Sequence, residues 1–98
     1  MEIDINSRLH ATVHGKVQGV NFRYFVSENA RRLGITGWVR NRYNGTVEVL
    51  AEGKRKDLDT LIQYLHQGPR SSHVTKVDHE WKEATGESNS FQIRMTSK

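Results

Sequence analysis

Gly15-Lys16-Val17-Gln18-Gly19-Val20-Asn21-Phe22-Arg23 stands between two stretches of different hydrophobic period. Before it, from Arg8 to His14, Leu9, Ala11 and Val13 alternate with His10, Thr12 and His14, the period-two pattern of a half-buried strand. After it, Phe22, Phe25, Val26, Ala30 and Leu33 recur at helical spacing. The nine residues therefore turn a strand into a helix, and the two glycines, four apart, supply backbone angles closed to other residues. In such a loop successive N–H groups can turn inward and line a concavity, to which the helix adds its own unpaired N–H groups and positive dipole end. Arg23 falls near the first helical turn, where a guanidinium can fork onto two oxygens of one anion. Read for function, Gly15, Lys16, Val17, Gln18, Gly19, Val20 and Asn21 form a phosphate-sized cradle with Arg23 beside it. Read for structure alone, the same residues make a tight strand-to-helix turn with a solvent-facing arginine.

Outward from this loop the chain divides cleanly. Asn21 is expected to cap the helix and Gly34 to follow it as the C′ residue, with Arg31 and Arg32 complementing the dipole in the last turn. Ile35 to Arg42 and Thr46 to Glu52 read as two strands joined through Asn44-Gly45, a pair in which both residues tolerate positive φ. In the first of these strands Val39 and Asn41 share a face and Trp38 and Arg40 the other; in the second, Val47, Val49 and Ala51 oppose Glu48 and Glu52. Leu58, Leu61, Ile62 and Leu65 form the apolar stripe of a helix over about Arg55 to Gln67, which Gly68-Pro69 stops. Val77, His79 and Trp81 alternate in a fourth strand, Glu83 to Ser90 is a polar loop, and Phe91, Ile93 and Met95 mark a short last strand. The order βαββαβ with a terminal strand, short connections and right-handed crossover predicts an α+β, ferredoxin-like two-layer sandwich, its sheet mostly antiparallel and both helices on one face. That topology carries Asn41, at the end of the second strand, towards the glycine loop and Arg23.

Composition narrows the class. Ninety-eight residues suit one domain, spanning 1–98, with a modest core. No cysteine is present, which excludes disulfides, thiolate chemistry and Cys-based metal sites. Apolar runs are too short to span a membrane, and Met1-Glu2-Ile3-Asp4-Ile5-Asn6 lacks the basic region and apolar run of a signal peptide, so a cytoplasmic protein is expected. The net charge of +4 suits an anionic partner, and the interleaving of lysines and arginines with acids favours a small phosphorylated metabolite over nucleic acid. His10 and His14 share a strand face and invite a metal, but no third ligand is near in sequence and a polar strand face explains them.

Two motifs sharpen this reading. Gly15 to Arg23, with Gly37-Trp38-Val39-Arg40-Asn41-Arg42-Tyr43-Asn44-Gly45-Thr46-Val47-Glu48, closely resembles the acylphosphatase family, whose signatures are a Gly-x-Val-Gln-Gly-Val-x-Phe-Arg loop and a Gly-Trp-Val-x-Asn-x-x-[Asp/Asn]-Gly-x-Val-Glu hairpin. Both stand in order and at the family's spacing, and the resemblance covers the whole chain. It implies hydrolysis of carboxyl–phosphate bonds without metal or cofactor, the motif arginine binding phosphate and the motif asparagine binding water; here those are Arg23 and Asn41. Asn21 departs to a larger residue than relatives often carry and is expected to alter the loop's entrance. Asn44 replaces the commoner aspartate and preserves the turn, and the tail Thr96-Ser97-Lys98 is expected to add little.

The residues give the same chemistry on their own account. Cradle N–H groups and Arg23 can neutralise the peripheral oxygens of a phosphoryl group. The Asn41 carboxamide offers an acceptor and two donors with which to hold a water. Neither motif places a general base, which suits a leaving group as weakly basic as the carboxylate of an acyl phosphate. A monomer acting on a small-molecule acyl phosphate, with no nucleic-acid or membrane partner, is the expectation. The rival from another class is a non-catalytic module holding an acyl or carbamoyl phosphate, or RNA. The amino-terminal domain of hydrogenase maturation proteins resembles the same motif, but this chain carries no zinc-ligand cysteines or further domains. RNA binding on such a sheet wants exposed aromatics on the central strands, and Thr46 to Glu52 has none.

Overall fold

The computed structural model describes residues 5–98; residues 1–4, part of the segment read above for a leader, lie outside the described residues. Alternation extends the first strand, β1, over Asn6–Lys16, and the apolar stripe builds α1 over Phe22–Arg32. β2 (Thr36–Asn41), β3 (Val47–Lys54), α2 (Arg55–Gln67), β4 (His73–Glu83) and β5 (Phe91–Ile93) follow. The sheet order is β4-β1-β3-β2-β5. β3 pairs antiparallel with both β1 and β2, so those two run parallel with β3 inserted between them. β5 joins β2 in parallel, Val39 opposite Ile93. This is the ferredoxin-like α+β sandwich that the element order predicts.

Every second residue of the inner strands faces the helices. Leu9, Ala11, Val13, Val39, Val47, Val49 and Ala51 meet Phe22, Val26 and Ala30 of α1 and Leu58, Leu61 and Leu65 of α2 in one buried cluster. Burial of side chains this size is worth roughly 1.5–3 kcal/mol each relative to exposure, which makes this face the main source of stability. α1 ends as its sequence suggests: Gly34 takes φ 71°, and Ile35 N–H returns to Ala30 O at 2.9 Å, closing the last turn and burying Ile35.

Four local expectations are corrected. Asn21 does not cap α1 with its side chain; it sits left-handed at φ 68°, a conformation asparagine tolerates better than most residues. In the hairpin only Gly45 has positive φ, while Asn44 accepts Thr46 N–H at 3.1 Å and Thr46 Oγ1–H at 2.7 Å, a side-chain turn in place of a left-handed one. Gly15 and Lys16 belong to β1, not to the loop. Their register shifts after His14, and a Cβ at Gly15 would collide with the carbonyl oxygen of His73, so glycine is needed there for strand contact. Last, the tail is not idle: Ser97 N–H donates to Asn41 O at 3.0 Å and Ser97 O accepts Tyr43 N–H at 2.9 Å, extending the pairing of β2 past its end.

Candidate active site

The loop Val17 to Asn21, the start of α1 and the end of β2 close around one cavity of about 270 Å³, lined by Val17, Gly19, Asn21, Phe22, Arg23, Tyr24, Asn41 and Ile93. Two left-handed residues, Gly19 (φ 71°) and Asn21 (φ 68°), flank Val20 and fold the loop into a concave run of N–H groups. The first backbone donor satisfied within the helix is Phe25 N–H, to Asn21 O at 3.1 Å, so the three N–H groups before it belong to the open helix end. With no side-chain cap from Asn21, that end and its positive dipole face the cavity uncompensated. α1 also has no acidic residue in its first turn to offset the charge.

Arg23 lines the cavity and, among the described residues, makes no ion pair or side-chain hydrogen bond. In the same cavity lining, Asn41 Oδ1 is buried and has no hydrogen-bond donor. Buried polar atoms almost always find a partner, so an orphan at a cavity wall marks a place where a ligand or water belongs. Asn41 is held from both sides through its backbone, by its register with Val47 and by Ser97. The Gln18 carboxamide donates to Arg42 O at 2.7 Å and to Thr46 O at 2.8 Å, tying the loop to the hairpin that carries Asn41. Gln18 thus faces away from the cavity and fixes the distance between its two walls.

Of the residues predicted from sequence, Val17, Gly19, Asn21, Arg23 and Asn41 meet at the cavity. Gly15 and Lys16 lie in β1, Gln18 is the tether, and Val20 packs against the core cluster. Sequence reasoning missed Ser97, Tyr24 and Ile93. Tyr24 adjoins the loop motif, but Ile93 lies far from both motifs in sequence and reaches the cavity only through the pairing of β5 with β2. His10 and His14 point to the opposite face, where each ring meets a carboxylate, His10 Nε2 to Glu48 Oε2 at 2.7 Å and His14 Nε2 to Asp78 Oδ2 at 3.0 Å. Among the described residues no three His, Asp or Glu side chains gather as a metal-ligand set.

Fold and cavity together define a ferredoxin-like domain with a cavity where the loop, the start of α1 and the end of β2 meet. The acylphosphatase family model matches residues 9–93, and the chain belongs to the acylphosphatase family. It is 44% identical to the acylphosphatase of Salinibacter ruber over 94 residues, covering 96% of this chain and 99% of that protein. The crystal structure of acylphosphatase from Bacillus subtilis superposes with a TM-score of 0.87 at 35% identity, covering 90% of this chain and 98% of that one. Full-length HypF in its phosphate- and nucleotide-bound form also matches, with a TM-score of 0.87 at 26% identity, over 98% of this chain but 13% of its own. Family and fold make this chain an enzyme of acyl-phosphate hydrolysis, a reaction on small molecules. No helix among the described residues is long and apolar enough to cross a membrane.

Proposed function

We propose that this protein hydrolyses the carboxyl–phosphate bond of small acyl phosphates as a monomer, without a metal, through Arg23, the loop N–H groups and Asn41. The meeting of an unpaired arginine and an unpaired buried carboxamide oxygen at one cavity carries the reading. Arg23 forks onto two peripheral phosphoryl oxygens while the N–H groups of the loop and of the α1 start take the rest. Asn41 Oδ1 accepts a hydrogen bond from a water and aims its lone pair at phosphorus. The water oxygen–phosphorus bond forms as the phosphorus–oxygen bond to the acyl group breaks. The electron pair leaves on the carboxylate; one proton of the water stays on the oxygen now bonded to phosphorus and the other passes to a peripheral oxygen of the released phosphate.

Charge develops on oxygens that fixed donors already face, so little reorganisation accompanies the reaction. Among the described residues no carboxylate or imidazole lines the cavity, and none is needed, because the expelled carboxylate is a weak base. The test is turnover of benzoyl phosphate with a chelator present. Hydrolysis well above the spontaneous rate and insensitive to chelator is expected. Absence of turnover would leave a binding module, and loss of turnover restored by one metal would replace the mechanism.

A further inference from the structure

The acyl group is tied to the phosphoryl group by a single bond, so it lies within a few ångströms of the cradle and leaves the cavity past its rim. That rim is apolar. Of the lining residues, Val17 and Phe22 are buried in the core, whereas Tyr24 and Ile93 remain 54% and 45% exposed. Ile5, Tyr24, Tyr43, Ile93 and Met95 are the large apolar side chains left exposed among the described residues, and two of them stand at this one opening. Neither belongs to the buried core cluster or to the partly buried side chains packed against it.

Their approach follows from how α1 lies on the sheet. Arg31 reaches from α1 to Phe91 O at 3.0 Å, so its side of the helix faces β5. Tyr24, seven residues earlier, is on that same side two turns towards the loop. α1 runs antiparallel to β2, and β5 runs parallel to β2, so moving back along α1 from Arg31 to Tyr24 matches moving forward along β5 from Phe91 to Ile93. Ile93 in turn pairs with Val39, two residues before Asn41. An aromatic ring from the helix and a branched aliphatic chain from the edge strand therefore bracket the mouth of a polar pocket.

We infer that Tyr24 and Ile93 form an acyl-group subsite, and that the preferred substrates are acyl phosphates with aromatic or branched aliphatic acyl groups, ahead of acetyl or carbamoyl phosphate. The inference rests on the hydrolytic reading of the same cavity. A planar or branched apolar group between the two side chains removes apolar surface of both from water, and an acetyl methyl or a carbamoyl NH₂ covers far less of it. A carbamoyl group would also leave polar hydrogens against apolar walls.

The experiment compares kcat/KM for benzoyl phosphate and acetyl phosphate in the native protein and in Tyr24→Ser and Ile93→Thr, with Tyr24→Phe and Ile93→Leu as conservative partners. The native protein should favour benzoyl phosphate after correction for intrinsic reactivity. Each polar variant should lower the benzoyl-to-acetyl ratio by about tenfold, in the range that one small apolar group contributes to discrimination. The conservative variants should retain the ratio. Ile93→Thr keeps the β-branch of an edge strand and Tyr24 is solvent-facing, so both polar variants are expected to fold. A ratio that is unchanged in both overturns the subsite while leaving hydrolysis intact. A native protein that turns over neither substrate overturns the hydrolytic reading and the subsite with it.

Discussion

Glu52 and Asn41 both carry buried oxygen atoms, on opposite faces of one sheet, and they differ in how those atoms are satisfied. Glu52, 7% exposed on the face away from the helices, accepts Arg8 Nη1–H at 3.0 Å, Thr85 N–H at 2.8 Å and Gly86 N–H at 2.9 Å. Its neighbour Glu48 takes His10 on one oxygen and Arg40 Nε–H at 2.7 Å on the other. Burial raises both carboxyls, and these bonds more than offset it, so each titrates below the usual range. Asn41 Oδ1 has no such partner, and among the described residues neither has the Arg23 guanidinium of the same cavity. On the open face polar groups, Arg42 Nε excepted, are spent on one another and hold strands and loops together. At the cavity they are left unspent, which stabilises nothing in the free protein and makes them available to a ligand.

The sharpest way to break this contrast is Arg23→Ala. Two charge-assisted bonds of roughly 1.5–3 kcal/mol each correspond to roughly 10²–10⁴-fold in kcat/KM. Steady-state kinetics should show that loss with the melting temperature nearly unchanged, because Arg23 has no internal partner to abandon. Arg23→Lys should recover little, since an ammonium cannot fork.

Glu52→Ala should behave in the opposite sense. It leaves two backbone N–H groups unpaired and removes one partner of Arg8, which keeps Thr85 and Glu87, at roughly 1–3 kcal/mol of stability for buried groups left unpaired. Thermal unfolding should reveal this while phosphate affinity at low temperature stays native. The pH dependence follows from the sign of the shift. A carboxyl depressed in the folded state adds stability that is fully present above the unfolded value of 4.5 and is lost as pH falls through the lower folded value. Unfolding followed from pH 7 down to pH 3 should therefore be flatter in Glu52→Ala than in the native protein.

A smaller effect separates positioning from catalysis. Gln18→Ala removes two neutral bonds of roughly 0.5–1.5 kcal/mol each, part of which appears as a kcat/KM lowered by about tenfold through the loosened spacing of the cavity walls. Gln18→Asn, too short to span both carbonyls, should not rescue it. A Gln18→Ala protein with native kinetics would reduce the tether to ornament.

How much of this was legible in the chain depends on the range over which each feature is determined. Alternation in β1 and β3, the stripes of both helices and the Asn44-Gly45 turn are local patterns, and they led to the right topology. The topology in turn brought Asn41 to the loop before any coordinates. Features set by distant contacts were not legible. Gly15 is a glycine because β4 passes close behind it, which the loop motif disguised as part of the cradle. Ser97 belonged to a tail expected to add little, since nothing local says that it pairs beside Arg42. Glu48 and Glu52 read only as the face opposite Val47, Val49 and Ala51, since period two cannot show that Arg40, His10 and the Thr85–Gly86 loop fold over them. Tyr24 and Ile93 needed the placement of β5, whose partner strand the sequence does not name.

The division of labour between Arg23 and Asn41 is the central claim, and phosphate binding measured as thermal stabilisation tests it most directly. A ligand at about 100 times its dissociation constant stabilises the native state by ~2.7 kcal/mol. With circular dichroism first showing both variants folded, Asn41→Ala should keep most of the native phosphate shift while losing turnover. Arg23→Ala should lose both. An Asn41→Ala protein that loses the shift as fully as Arg23→Ala would make Asn41 part of the anion cradle, and one that turns over at the native rate would remove its water from the mechanism.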